Sequence, residues 1–89
     1  MTSEEAFEIV LRALQHNDRF RVIMKMFDYE NFGNFIIKFR EKENIKTFTC
    51  DRSQIIVDEV GESCDIPRLA IPSLYELSET KLLEGLGLS

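Results

Sequence analysis

Histidine occurs once in this sequence, cysteine and proline twice each, and glycine four times in 89 residues. Each scarcity removes a class of chemistry. With His16 as the lone imidazole, and Cys50 and Cys64 fourteen positions apart, the ligand spacing of a zinc site is missing. Nucleophilic catalysis needs a nucleophile with a base held beside it. His16 follows a helical stretch and reads as a structural or surface residue, and neither cysteine has sequence neighbours that mark a reactive thiolate. Gly85-Leu86-Gly87 has no helix after it, so it is no phosphate cradle. Asp58 and Glu59 are adjacent in an extended stretch and point to opposite faces, so they cannot jointly hold a metal. A non-enzymatic role without catalytic residue, metal or cofactor is the expectation.

Long apolar runs are missing too. None exceeds three residues, far short of a membrane span. The opening Met1-Thr2-Ser3-Glu4-Glu5 has neither the basic nor the apolar region of a secretion signal. A cytoplasmic location with reduced thiols is expected, away from membranes.

What is present suits one small packed domain spanning residues 1–89. The chain is 44% hydrophobic with seven phenylalanines, and 30% charged. So short a chain buries a modest share of its surface, and help from a protein partner or a second copy in a homodimer would suit it; a structural or assembly subunit whose open sheet face is covered by a second copy is one such reading. The net charge of −5 is uneven: −2 over residues 1–30, +2 over 31–49 and −5 over 50–89. This field disfavours general binding to nucleic acid or anionic membrane and favours a basic protein partner.

Ala6, Phe7, Val10, Leu11 and Leu14 recur at helical spacing behind Thr2 or Ser3 as N-cap, which predicts a helix from about Glu4 to Gln15. From Phe20 the period becomes two, with Phe20, Val22, Met24 and Met26 on one side and Arg21, Ile23, Lys25 and Phe27 on the other. A turn at residues 30–34 leads to a second strand, with Phe35, Ile37 and Phe39 opposed to Ile36, Lys38 and Arg40. Strands near Ile45–Cys50 and Gln54–Val60 follow short turns, and residues 61–65 read as a loop. Pro67 and Pro72 bracket Arg68-Leu69-Ala70-Ile71, which no central strand accommodates at either proline. A last helix starts at Ser73 or Ser78, buries Leu74, Leu77, Leu82 and Leu83, and ends at Gly85 or Gly87. The expected fold is α+β in the order α-β-β-β-β-α, a four-stranded antiparallel meander with two helices on one face.

Three surfaces are candidates for contact. Asp58, Glu59, Glu62 and Asp65 form an acidic group suited to covering a basic protein site. Tyr29, Phe32 and Tyr75 are aromatic anchors. If Phe20, Val22, Met24 and Met26 face the helices, Arg21, Lys25, Lys38 and Arg40 gather on the open sheet face among Ile23, Phe27 and Ile36, as an anionic-ligand or nucleic-acid site requires.

Phe32-Gly33 and Phe39, with Asp51-Arg52-Ser53-Gln54 and then Val57-Asp58, resemble a pattern in small bacterial proteins of the toxin-immunity type. There a phenylalanine-glycine turn precedes one strand and a D-R-x-Q turn introduces the next. The resemblance covers residues 32 to 58. It implies a bacterial or phage origin and a neutralising role, as an immunity protein or phage-type inhibitor, and it carries over no catalytic residue.

Overall fold

The computed structural model of the chain describes residues 1–60 and 67–88. The element order is α1 (Ser3–Gln15), β1 (Phe20–Asp28), β2 (Asn34–Glu41), β3 (Asn44–Asp51), β4 (Gln54–Val60), β5 (Arg68–Ile71) and α2 (Glu79–Gly85). The strands form one antiparallel sheet in sequence order, so the α+β class and the meander agree with expectation. The strand count does not: there are five among the described residues, not four. The fifth is the short stretch between Pro67 and Pro72, which lies at an edge, where a proline leaves no ladder bond unmade. The loop expected over residues 61–65 lies outside the described residues.

α1 begins with a full capping box. The Thr2 hydroxyl accepts from the Glu5 amide at 3.1 Å, and the Glu5 carboxylate accepts from the Thr2 amide at 3.1 Å. Ala6, Val10 and Leu14, the inner line of the helix stripe, are fully buried. α2 takes the later of its two expected starts. Ser78 is the N-cap and accepts from the Lys81 amide, whereas the Ser73 hydroxyl closes a local turn with the Tyr75 amide. Leu74 and Leu82 are buried as expected, Leu77 and Leu83 only half so, and Leu86 joins the core at the helix end.

Buried residues of both helices join Phe35, Ile37, Phe39, Phe48, Cys50, Ile55, Val57 and Ile71 in one cluster, so both helices lie on the same sheet face. Six of the seven phenylalanines line that face. Their rings meet mostly edge-on or tilted, as in Phe7–Phe27 at 5.3 Å, Phe20–Phe39 at 5.4 Å and Phe39–Phe48 at 5.0 Å.

The alternation expected along β1 fails at one point. Val22 pairs with Phe39 but Met24 pairs with Lys38, so Ile23 is an extra residue, a β-bulge. The bulge reverses the phase. Phe20 and Val22 pack with the core; beyond it Phe27 does so, while Met24 and Met26 point to the open face. β1 is an edge strand, and a bulge together with Lys25 keeps such an edge from templating another strand.

Candidate interaction surface

Residues opposite one another in an antiparallel ladder share a face, so the pairing register assembles the open face row by row. One row crosses all five strands: Met26, Ile36, Thr49, Ile56 and Leu69. The next runs Met24, Lys38, Thr47 and Asp58. A third holds Arg21, Arg40, Ile45 and Val60. Among the described residues no helix covers these rows, and Met26, Val60 and Leu69 are each more than half exposed, at 55%, 57% and 55%. A row that is apolar on four of five strands, broken only by Thr49, is unusual on a surface that stays wet.

Of the basic residues expected on this face, Arg21, Lys38 and Arg40 stand there together. Lys25 does not: it pairs with the core residue Ile37 and lies on the helix side of the edge strand. Phe27, expected among the basic residues, is packed against Phe7 and Phe35 instead. Both displacements follow from the one extra residue at Ile23. Arg21 and Arg40 are direct cross-strand partners and, with Val22 and Ile23, line a cleft of about 340 Å³. Like charges in this position repel, and neither makes an ion pair among the described residues.

Of the acidic group, the described residues Asp58 and Glu59 stand on opposite faces, as their adjacency in an extended stretch implies. Asp58 is on the open face opposite Thr47, whereas Glu59 is on the helix side opposite Lys46, where its carboxylate accepts from the Asn44 amide group at 3.1 Å. Glu62 and Asp65 lie outside the described residues. On the helix side a different network forms at the sheet margin: Glu41 bridges Arg19 at 3.0 Å and Lys46 at 3.1 Å.

The three aromatic anchors are all exposed, Tyr29 at 74%, Phe32 at 72% and Tyr75 at 76%, and they share one end of the sheet. Tyr29 and Phe32 lie on the β1–β2 connection, and Phe32 adopts a left-handed φ of 58°. The Arg52 guanidinium from the β3–β4 turn stands 5.5 Å from the Phe32 ring centre. Asn34 ties the two turns together: its side chain accepts from the Arg52 amide at 2.9 Å and donates to Asp51 at 3.3 Å. Tyr75 follows Leu74, whose amide donates to the Ser53 carbonyl in the same turn. Between these turns and the apolar row lies a groove of about 440 Å³, with Met26, Ile36 and Thr49 on its floor and Phe32 and Arg52 at its lip.

Cys50 borders this groove as a buried free thiol, and burial pushes its pKa up against a smaller opposing hydrogen bond from the Ser53 backbone. A thiol held protonated is a poor nucleophile. Cys64 lies outside the described residues. His16 is exposed at the C-terminus of α1. Among the described residues no three His, Cys, Asp or Glu side chains converge as a metal site would require, and no helix is long and apolar enough to cross a membrane. The apolar row went unread in the sequence, although the signal was there: Ile36, Thr49 and Ile56 each sit beside a core residue in strands that carry β-formers on both sides. Comparison with protein-family models, with curated proteins and with solved structures gave no significant match.

Proposed function

We propose that this protein is a non-enzymatic protein–protein interaction domain whose contact surface is the open face of its sheet. The observation that carries the reading is the row Met26, Ile36, Thr49, Ile56 and Leu69, apolar on four of its five strands and left uncovered by the two described helices. Apolar surface of this extent costs free energy in water and is recovered when a partner covers it. The charged residues flanking it supply orientation, and exposed Tyr29 and Phe32 extend it at one end.

The experiment is site-specific photo-cross-linking in the cells that make the protein. A cross-linking side chain at Leu69 is expected to give adducts containing this chain, and one at exposed Glu8 on the outer side of α1 to give none. No adduct at Leu69 overturns the reading. Neutralisation of a basic partner, the role implied by the toxin-immunity resemblance, is the narrower form of this function. It requires Asp58→Lys with Glu59→Lys to abolish capture of that partner while the fold is retained.

A second reading has its own support. The Arg21–Arg40 couple, which makes no ion pair among the described residues, suits an anionic ligand in its cleft. That reading requires binding to fall with salt and to be lost in Arg40→Ala.

A further inference from the structure

The open face carries its own complement. Along one row Lys38, Thr47 and Asp58 occupy three consecutive strands, β2, β3 and β4, with a cation on one side of the central strand and an anion on the other. Neither charge is paired with another among the described residues, and Thr47 on the central strand stands between them. The adjoining apolar row has the same symmetry about β3, with Ile36 and Met26 on one side of Thr49 and Ile56 and Leu69 on the other.

Resting on the reading of this face as a contact surface, we infer that its occupant is a second copy of the same chain, stacked face to face about a two-fold axis that runs along β3. That rotation exchanges β2 with β4 and β1 with β5. It sets Lys38 over Asp58 of the second copy and Asp58 over the second copy's Lys38. It also lays Ile36 over Ile56, Met26 over Leu69, and Thr47 and Thr49 over themselves. In the third row it lays exposed Arg40 over exposed Val60, a cation that stays solvated only where this row forms the rim of the contact. Sheets packed face to face stand about 10 Å apart, a gap that a lysine and an aspartate close between them. A two-fold axis across the strands does the opposite: it drives Lys38 onto Ile36 and Asp58 onto Ile56, desolvating four charges without partners. The sequence of cation, neutral and anion therefore selects both the partner and the axis. It also assigns a use to the β1 bulge, which turns Met24 and Met26 onto this face.

The test is solution mass by light scattering, combined with charge exchange. The wild-type protein is expected at twice its 10.4 kDa chain mass. Lys38→Asp sets two aspartate pairs against each other and Asp58→Lys two lysine pairs, so each variant alone dimerises at least about a hundredfold more weakly. An equimolar mixture of the two variants restores both pairs and is expected to yield the heterodimer. The double variant Lys38→Asp/Asp58→Lys restores them in a homodimer, which keeps the test valid if one single variant folds poorly. A wild-type mass of 10.4 kDa at high micromolar concentration overturns the proposal, as does failure of both the mixture and the double variant to recover the dimer. A monomer that still cross-links to another protein through Leu69 overturns this proposal alone and leaves the contact-surface reading standing. Absence of every Leu69 adduct removes both.

Discussion

The two faces of the sheet are made from the same strands with much the same vocabulary, yet they have opposite fates. On β2, Phe35, Ile37 and Phe39 are at most 2% exposed, while their neighbour Ile36 is half-buried and Met26 across from it is 55% exposed. Strand composition does not make this difference, since β-branched and sulfur-containing side chains occupy the open face as well. The helices make it. α1 and α2 deliver Ala6, Val10, Leu14, Leu82 and Leu86 to one face and nothing to the other. One apolar face is thus covered by the two helices, and the second is left open among the described residues.

The largest expected effect separates the two faces directly. Phe39→Ala removes a ring packed between Phe20 and Phe48 and should cost about 3–5 kcal/mol of stability. Met26→Lys, on the open face, should change the stability of the isolated chain by no more than about 0.5 kcal/mol. Urea denaturation at low protein concentration checks both. A Met26→Lys loss as large as that of Phe39→Ala would mean that Met26 is buried and that β1 keeps unbroken alternation.

That pair of variants also marks where the sequence could be read and where it could not. The helix stripe of α1 and the alternation of β2 are local patterns, each fixed by neighbours within four residues, and each appears as expected. The start of α2, by contrast, is open in the sequence between Ser73 and Ser78, and only the fold selects Ser78. The bulge at Ile23 has no local signature: Phe20 to Phe27 alternates apolar side chains onto both sides, and only pairing with β2 decides which set goes inward. The fifth strand was hidden for a related reason, because its two prolines exclude a central position but not an edge. The open-face row joins residues up to 43 positions apart, so it becomes visible only once the register is known.

Smaller effects sharpen how the covered face is held. Gly33 has a φ of 65°, and a methyl group there would run into the Ser3 hydroxyl at the start of α1 and stand 3.3 Å from the Phe27 ring. Gly33→Ala should cost about 1–3 kcal/mol, because the left-handed backbone and the helix entry are strained together. Thermal unfolding checks this, and a variant as stable as the parent would show that α1 does not bear on this turn. In the β3–β4 turn both central residues are left-handed, Arg52 at 51° and Ser53 at 65°, as a two-residue hairpin of matching twist requires. Serine is poorly suited to that conformation. Ser53→Gly should raise stability by about 0.5–1 kcal/mol while keeping the backbone carbonyl that accepts from Leu74.

The smallest effect tests the cover itself, at the first turn of α1. The Glu5 carboxylate is fully exposed, yet hydrogen bonds from the Thr2 backbone and hydroxyl hold its pKa below the ordinary carboxylate range. A carboxyl group whose pKa is lower in the folded chain binds its proton more readily in the unfolded one. Its contribution is therefore complete above the unfolded value and is lost as the pH falls through the folded one, in the window below about pH 4. Glu5→Gln keeps an acceptor for the capping box but removes both the charge at the positive helix end and the titration. The variant should be slightly less stable than the parent at pH 7, and the gap in urea midpoint should narrow at pH 3. An unchanged gap would assign the loss to the geometry of the cap rather than to its charge. The same variant should leave the open face untouched at either pH, because α1 packs only on the other side of the sheet.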